Sequence, residues 1–335
     1  MNFQDFQQYL AMVQDRPRCE AYERAIARTV AGKVVLDLGS GPGFLSHLAL
    51  KHGAAKVYAI EADPQALGLA TELARRFPQP ERFVPILGHS LALQLPERVD
   101  VIVSEILDST GIGENAHVAM ADAARRFLVP GGILIPHTLE LFLGLGVSGE
   151  ARSIGQAWEH VGADYGLPYE SFDGLLGGIG LCVSCADLVT GDQTNGGTGW
   201  VHWQTVDLAK NDFHLHTVVP MRATRAGPVR GIANAWRAHL LDDIVLESLP
   251  EAPETHWKQG FFNIGQAVDA EAGDQFIFEI MFADSRDSRV AFNMRLHHAP
   301  AAERESLLAR LPDWLRSPVE EGRVAVVDRR DSAGA

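Results

Sequence analysis

The stretch Val34–Phe44 constrains the fold of this chain more than any other. Four apolar residues and Asp37 form a short run that leads into glycines at alternate positions, Gly39, Gly41 and Gly43. The valines and the glycines that follow favour a buried strand over a buried helical segment of similar length. The glycines then form a tight turn that opens a helix, and their backbone N–H groups can approach a ligand because no Cβ stands in the way. Since the start of a helix favours negative charge, the pattern predicts a cofactor that carries a nucleotide.

The glycine spacing distinguishes between cofactors. A dinucleotide fingerprint has the spacing G-x-G-x-x-G, whereas this turn has G-x-G-x-G after Asp37. The next predicted strand, Lys56–Ile60, is followed by Glu61, whose carboxylate can accept hydrogen bonds from both hydroxyls of a ribose. The combination resembles the first motif of class I S-adenosylmethionine (SAM) methyltransferases, and a plain βα turn is the alternative interpretation.

Length and charge limit the classes of partner. The chain has 335 residues, enough for two domains with full cores, and a formal net charge of −14. The negative charge argues against non-specific binding of nucleic acid or of a membrane surface and is compatible with a cationic acceptor. Ordinary solubility also explains the charge.

The cysteines and the start of the chain indicate the compartment. Cys19, Cys182 and Cys185 suggest no disulfide framework and fit a reducing, cytoplasmic environment. A zinc site at Cys182-x-x-Cys185 would lack a second such pair, so ordinary thiols are expected and no metal is predicted. The first residues have neither the basic region nor the apolar segment of a signal peptide, and no apolar run reaches membrane length. An excess of arginine over lysine indicates a GC-rich, bacterial coding bias.

The first 137 residues predict an α/β fold. Residues 3–30 have helical spacing interrupted at Pro17, which predicts two helices. Strand and helix patterns then alternate, as in a Rossmann-like, doubly wound parallel sheet. The predicted strands are 33–38, 56–60, 82–87, 99–104 and 132–136, and the predicted helices lie near 43–52, 64–76 and 116–127.

The pattern changes after about residue 138. Short segments with partial period-two patterning predict an antiparallel, β-barrel-like domain over 138–300. Residues 186–199 are predicted to be a mobile loop or an arm, 302–315 one amphipathic helix and the tail from 328 frayed. The predicted organisation is N-terminal helices over 1–32, a SAM-binding domain over 33–137, the β domain over 138–300 and a C-terminal helix and tail over 301–335.

Several polar or glycine positions follow predicted strand ends. They are Gly39, Glu61, His89-Ser90 and Ser104-Glu105. Ligands of doubly wound sheets bind outside the carboxyl ends of the strands. These residues are therefore predicted to line one crevice.

Two glutamates follow the fourth predicted strand. Glu105 and Glu114 are nine residues apart, which on a helix would place them on opposite faces. A hairpin-like loop can bring them together, and Gly111 and Gly113 supply the flexibility. Two convergent carboxylates beside a SAM pocket favour a planar cation with several donors, and guanidinium fits because its fork matches carboxylates. A stray second glutamate is the alternative for Glu114.

Four separated motifs together resemble the protein arginine methyltransferase family. They are Met12–Tyr22, Val34–Gly43 with Glu61, Ser104–Glu114 and Thr255–Gln259. In that order they resemble the family's N-terminal helix motif, its SAM motifs, its double-glutamate loop and its Thr-His-Trp loop. The resemblance runs from residue 6 to about 300 and implies a class I SAM methyltransferase fold followed by an antiparallel β domain.

The resemblance implies SAM as the cofactor and S-adenosylhomocysteine as its product. The residues that it implies for cofactor binding are Arg18, Asp37, Gly39, Gly41, Glu61 and Ser90. Arg18 is expected to pair with the SAM carboxylate, and the two glycines to line the methionine and the ribose. Glu61 is expected to hold the ribose, with Ser90 near the adenine.

The resemblance also implies which residues act on the acceptor. Glu105 and Glu114 are expected to hold the guanidinium. His256 is expected to pair with Asp15 across the domain boundary. Trp257 is expected to wall the acceptor channel, and Met12 to lie near the reacting nitrogen.

The double-glutamate loop departs from the usual family pattern. Ile106 and Leu107 follow the first glutamate, and Ala116 replaces a methionine two positions past the second. The loop resembles the monomethylating branch most. The acceptor is expected to be an arginine in a protein or free L-arginine, as in the free-arginine methyltransferases of bacterial nitrosourea pathways, with the free amino acid favoured for a bacterial chain.

Two further interpretations stay open at this point. An O- or C-methyltransferase for another small molecule would not need both glutamates. A SAM-binding scaffold without turnover would not need Glu105, Glu114, Asp15 and His256 together. The resemblance also implies a homodimer formed through the segment near 175–199.

Overall fold

The computed structural model describes residues 3–169, 180–185, 187–190, 199–282 and 292–327. These residues form two compact units. The first unit holds the described residues up to Glu140 together with Thr205–Phe213 and Arg237–His256, and the second holds the remaining described residues. Most of the predicted arm over 186–199, most of the dimerisation segment near 175–199 and the tail from 328 lie outside the described residues.

The first unit is built on a parallel sheet of five strands. They are β1 (Val34–Leu38), β2 (Lys56–Glu61), β3 (Phe83–Leu87), β4 (Val99–Ser104) and β5 (Leu128–Ile135), in the order β3-β2-β1-β4-β5. The register pairs Leu38 with Ile60 on β2 and with Ser104 on β4, so the three strands end at the same level. The predicted α/β fold is confirmed, and the residues that follow these strands meet at one edge of the sheet.

Helices flank this sheet and precede it. They are α1 (Phe3–Gln14), α2 (Arg16–Thr29), α3 (Phe44–Lys51), α4 (Pro64–Ala74) and α5 (Ala116–Phe127), with short 3₁₀ turns at Pro80–Arg82 and Ser90–Ala92. The predicted break in the N-terminal helical region falls at Asp15, which caps α2 by accepting a hydrogen bond from Arg18 N. Pro17 lies in the first turn of α2, where the N–H that proline lacks would have no partner within the helix.

Apolar residues on the central strands fix the sheet. Leu36, Ile60 and Ile102 are almost fully buried, on β1, β2 and β4 respectively. Burial of each such side chain contributes about 1.5–3 kcal/mol. The sheet is therefore a rigid base for the polar residues at its carboxyl edge.

The rest of the chain consists mainly of antiparallel strands. They are β6 (Thr138–Val147), β7 (Gly180–Val183), β8 (Asp187–Leu188), β9 (Val201–Asp207), β10 (His216–Arg222), β11 (Gly227–Leu241), β12 (Ile244–Glu247), β13 (Gln259–Ala270), β14 (Gln275–Phe282), β15 (Phe292–Ala299) and β16 (Ala325–Val326). One sheet has the order β15-β14-β10-β16, and a larger sheet contains β7-β13-β11-β6-β8. The predicted antiparallel region is confirmed. In the first unit, the end of β11 forms a hairpin with β12 around the two-residue turn Asp242-Asp243.

The C-terminal region differs from the prediction of one helix over 302–315. Among the described residues, the helices after α6 (Gly149–Tyr165) are α7 (Arg304–Arg310) and α8 (Asp313–Glu321), preceded by a 3₁₀ turn at Ala301–Glu303. The break falls at Leu311, which is extended because Pro312 follows it. Leu307, Leu308, Leu315 and Val319 then pack into one apolar cluster with Ile277 of β14.

The described residues include no helix that is both long and apolar enough to cross a lipid bilayer.

Candidate active site

The glycine turn after β1 is tightly enclosed. Gly39 and Gly41 have φ angles of +72° and +53°, which side-chain-bearing residues rarely adopt. A Cβ on Gly39 would lie 2.7 Å from Cγ2 of Ile106, and one on Gly41 would lie 3.0 Å from Cε1 of Tyr9. Only glycine therefore lets this backbone pass so close to its neighbours, as the sequence predicted for a cofactor turn.

Glu61, at the end of β2, is held in one orientation by backbone donors. Its Oε2 accepts a hydrogen bond from Gly41 N at 2.8 Å. Its Oε1 accepts hydrogen bonds from Ala62 N and Asp63 N, each at 2.8 Å. The carboxylate is thus tied to the glycine turn, at the edge of the sheet where a ribose was predicted.

Asp37 lies beneath the turn rather than at its surface. Its Oδ2 accepts hydrogen bonds from the backbone N and Oγ of Ser46 in α3, at 2.8 and 2.6 Å. Burial raises the pKa of Asp37 to about 7, although the hydrogen bonds from Ser46 oppose this. Its Oδ1 is buried and has no hydrogen-bond partner among the described residues. Asp37 therefore joins β1 to the helix that the turn opens.

Asp15 and His256 form the pair that the sequence predicted. Asp15 Oδ2 accepts hydrogen bonds from the backbone N of His256 at 2.8 Å and from its Nδ1 at 2.7 Å. Burial would raise the pKa of Asp15, but the hydrogen bonds from His256 and from the backbone of Arg18 outweigh it and lower the pKa. The pairing was expected across a domain boundary, whereas both residues belong to the first unit because Arg237–His256 returns to it.

Arg18 and Glu105 form a buried ion pair. Arg18 Nε donates to Glu105 Oε2 at 2.8 Å, and Nη2 donates to the same oxygen. The side chains are 4% and 2% exposed. Burial raises the pKa of Glu105 even though Arg18 opposes the shift. Arg18 Nη1 also donates to the carbonyl of Met12 at 3.1 Å, which connects the end of α1 to this pair.

The loop between the two glutamates is organised by Asp108. Its Oδ1 accepts hydrogen bonds from Thr110 N, Thr110 Oγ1 and Gly113 N, at 3.0, 2.7 and 3.0 Å. A Cβ on Gly113 would lie 1.8 Å from Asp108 Oδ2, so the close approach requires glycine. Sequence reasoning missed Asp108, although Asp followed by Ser-Thr-Gly is a signal for such a turn.

The two glutamates differ in their surroundings. Glu105 is buried with Arg18, whereas Glu114 is exposed at the far end of the loop, just before α5. The convergence of the two carboxylates on one cation stays a prediction.

Ser90 is positioned by a residue that the sequence analysis did not identify. Arg126 of α5 donates from Nη2 to the carbonyl of Ser90 at 2.7 Å and also pairs with Asp122. The segment after β3 is therefore anchored at the carboxyl edge of the sheet, where the adenine was predicted. An arginine near the end of a helix gives no sequence signal for this role.

Trp257 lies in the second unit. It is buried, and its ring packs edge-on against that of Trp236 with 4.9 Å between the centroids. Its carbonyl oxygen accepts a hydrogen bond from Cys182 Sγ at 3.1 Å. The Thr-His-Trp loop thus begins in the first unit and continues in the second.

Comparisons with known proteins agree with the motifs. A family model described as ribosomal protein L11 methyltransferase (PrmA) matches residues 19–137. An arginine N(omega)-methyltransferase from Streptomyces achromogenes subsp. streptozoticus is 27% identical over 290 residues, covering 82% of this chain and 76% of that protein. Protein arginine N-methyltransferase 6 from Xenopus tropicalis is 26% identical over 307 residues, covering 87% and 89%.

Solved structures share the fold. The chain resembles a structure titled as the Trypanosoma brucei PRMT1 enzyme-prozyme heterotetrameric complex with AdoHcy, with a TM-score of 0.72 at 20% identity and coverage of 88% of this chain and 94% of that one. Protein arginine methyltransferase 10 of Arabidopsis thaliana gives a TM-score of 0.71 at 20% identity, with coverage of 88% and 93%. The predicted resemblance and fold class are confirmed.

Proposed function

We propose that this relative of the protein arginine methyltransferases is a SAM-dependent arginine N-methyltransferase that forms Nω-methylarginine. The observation that carries the proposal is the closeness of the acidic loop to the glycine turn. A Cβ on Gly39 would meet Ile106, the residue directly after Glu105. The segment that carries the buried carboxylate of Glu105 therefore borders the turn where a methyl donor would bind.

The residues present fit SAM. The glycine turn offers backbone N–H groups without side chains, and the Glu61 carboxylate lies beside it. Arg18 supplies a buried cation for the carboxylate of the methionine moiety. When bound, SAM supplies an electrophilic methyl group on a sulfonium.

The buried carboxylate of Glu105 is suited to guanidinium. In the structure it already accepts two donors from the guanidinium of Arg18, and its Oε1 accepts a further hydrogen bond from Leu107 N at 3.3 Å. These donors hold the carboxylate in one orientation, and a carboxylate is a good partner for the N–H donors of a guanidinium. Under the proposal, Glu114 is the second carboxylate at the same cation.

These groups explain how a guanidinium can act as a nucleophile. Guanidinium has a pKa above roughly 12 and is a poor nucleophile while its charge is delocalised. Glu105 and Glu114 would localise the positive charge on the distal nitrogens, so the attacking nitrogen keeps more lone-pair character. Proton loss then accompanies or follows transfer. Positioning and electrostatic preorganisation supply most of the acceleration.

His256 is the residue that we expect to lie beside the nitrogen that loses this proton. Its Nδ1 donates to Asp15 Oδ2 at 2.7 Å. Asp15 fixes the ring orientation through a second hydrogen bond to the backbone of the same residue. We assign His256 and Asp15 to this role, with Met12 as a wall of the acceptor site.

We further propose that the acceptor is free L-arginine, used in bacterial secondary metabolism. The Streptomyces relative supports this choice because its name gives arginine as the acceptor. The relatives named as protein arginine methyltransferases support the alternative, an arginine within a protein. Free L-arginine as the acceptor requires a protein group that binds its α-carboxylate. An arginine within a peptide has no free α-carboxylate.

Mass spectrometry separates these acceptors. The chain is incubated with SAM and either free L-arginine or an Arg-Gly-rich peptide, and products and S-adenosylhomocysteine release are measured. The proposal expects monomethylarginine from the free amino acid. Methylation of the peptide alone would select the alternative, and methylation of an oxygen or carbon on a guanidine-free compound would contradict both.

We also propose that the chain forms a homodimer. Helix α6 carries Trp158, Val161 and Tyr165 at helical spacing, and each side chain is at least 42% exposed. Exposed apolar side chains at this spacing are typical of an interaction surface. Sedimentation at micromolar concentration is expected to give a dimer, and a monomer would contradict this proposal.

The three cysteines support a reducing environment. Cys19, Cys182 and Cys185 form no disulfide among the described residues. We therefore assign the reaction to the cytoplasm, where thiols stay reduced.

A further inference from the structure

A cavity in the first unit is lined by none of the predicted site residues. Its volume is about 430 Å³, within the usual range of ligand cavities of about 300–1,000 Å³. Ile133 and Leu134 of β5 and Leu241 at the end of β11 supply an apolar wall. The wall can receive a short aliphatic chain.

Two polar atoms near this wall are spaced for a shared ligand. His137 Nε2 and Asp242 Oδ1 are 3.8 Å apart, too far for a direct hydrogen bond. The other ring nitrogen of His137 is engaged with Thr138 Oγ1 at 2.8 Å, which holds the ring in place. Nε2 is buried and has no hydrogen-bond partner among the described residues. A ring that donates from Nδ1 to Thr138 Oγ1 offers Nε2 as an acceptor, so a nitrogen with several N–H groups can bridge Nε2 and Asp242.

The charges around the cavity favour a cation. Arg28 is neutralised by Asp243, with Nη1 at 2.8 and 2.7 Å from the two carboxylate oxygens. Asp242 lies on the hairpin turn with a fully exposed side chain. Thr29, the last residue of α2, also lines the cavity, so the partial negative charge of the helix C-terminus adds to that of Asp242.

We propose that this cavity binds a small organic cation, an ammonium or guanidinium group on a short aliphatic stem. The cationic head lies between Asp242 and His137, and the stem lies on Ile133, Leu134 and Leu241. The proposal does not rest on the proposed function, because no acceptor-site residue takes part in it.

Calorimetric titration of the full chain with n-butylguanidinium and n-butylammonium tests the site. The titrations use Glu114→Gln, so that binding at the proposed acceptor site is suppressed. One saturable site is expected. Adding Asp242→Asn is expected to weaken binding about two- to fivefold, because a contact with an exposed charge is lost. Asparagine is also a good turn residue, so the hairpin is expected to keep its fold.

Arg28→Gln gives an independent test. It removes the competing cation and releases Asp243, so tighter binding of both probes is expected. Asp313→Asn, an exposed aspartate of α8, serves as the matched control and is expected to leave binding unchanged. Stronger binding of one probe identifies the guanidinium or the ammonium as the preferred head.

Three results would overturn the proposal. They are the absence of saturable binding at millimolar probe, equal affinity with and without Asp242→Asn, and no gain in affinity from Arg28→Gln. A separate methyl-transfer assay on the wild-type chain distinguishes such a failure from a failure of the proposed function.

Discussion

Arg18 and Glu105 form an ion pair inside the first unit, although the resemblance assigns them to different ligands. Arg18 is expected to bind the SAM carboxylate and Glu105 the acceptor guanidinium, yet Arg18 Nε lies 2.8 Å from Glu105 Oε2. Each side chain is almost fully buried. Under the proposed function, this ion pair therefore links the cofactor site to the acceptor site.

Glu105→Gln is expected to destabilise the chain, because it leaves the Arg18 guanidinium buried without a charged partner. Removal of one member of a buried pair costs about 3–5 kcal/mol. S-adenosylhomocysteine is expected to raise the melting temperature more in this variant than in wild type, because its carboxylate restores a partner to Arg18. Equal ligand-induced shifts in differential scanning fluorimetry would contradict this link between the sites.

The glycine turn can be tested with a matched pair of substitutions. Gly39 and Gly32 have nearly equal φ angles of +72° and +71°, but a Cβ would meet Ile106 only at Gly39 and nothing within 4 Å at Gly32. Alanine at either position costs about 1–2 kcal/mol for the left-handed backbone. Gly39→Ala is expected to be further destabilised and to weaken S-adenosylhomocysteine binding in calorimetry. Equal loss of cofactor affinity in Gly32→Ala would remove the turn from the cofactor site.

Asp37 predicts a pH dependence of stability. Its pKa is raised to about 7 in the folded chain, above the value of 3.8 for the free side chain, so its contribution is fully present below about pH 4 and is lost as the pH rises through 7. Asp37→Asn removes this loss. The difference in unfolding free energy between the variant and wild type is therefore expected to grow in favour of the variant from pH 5 to pH 8.

The control for this experiment is Asp63→Asn, which changes an aspartate that caps α4 at a less buried position. Urea denaturation at several pH values measures both variants. A constant difference between Asp37→Asn and wild type across this range would show that Asp37 is ionised in the folded chain throughout.

Disorder in the loop between the glutamates is expected to weaken acceptor binding without changing cofactor affinity. Asp108→Ala removes the acceptor of three hydrogen bonds that hold Thr110 and Gly113. The KM for the acceptor is expected to rise about tenfold or more, since each bond contributes roughly 0.5–1.5 kcal/mol, while the affinity for S-adenosylhomocysteine stays unchanged. Ser109→Ala, at the neighbouring position, is the control. An unchanged KM in Asp108→Ala would show that loop order does not affect the acceptor.

The features that the sequence predicted correctly depend on local patterns. The strand ends at Leu38 and Glu61, the glycine turn and the helix break beside Pro17 follow from apolar runs, glycine spacing and the proline. The pairing of Asp15 with His256 followed from the family resemblance and is present in the structure. Local chemistry and motif resemblance therefore define most of the frame of the candidate site.

The features that the sequence did not predict depend on contacts between distant residues. Arg18 and Glu105 are 87 residues apart, and nothing in either motif indicates that they bond to each other. Arg126 reaches back to the carbonyl of Ser90 from a helix with no recognisable motif. The split of the C-terminal helix at Leu311 was predictable from Pro312, but the apolar spacing continued through it and hid the break.

The most direct test of the central claim is the single-turnover rate of methyl transfer to L-arginine in Glu114→Gln. Glu72→Gln, an exposed glutamate of α4, is the control. The account predicts a loss of at least about tenfold in the Glu114 variant, because one charge-assisted contact contributes about 1.5–3 kcal/mol, with S-adenosylhomocysteine affinity retained. An unchanged rate in Glu114→Gln would contradict the account, because the guanidinium would then not be held by two carboxylates.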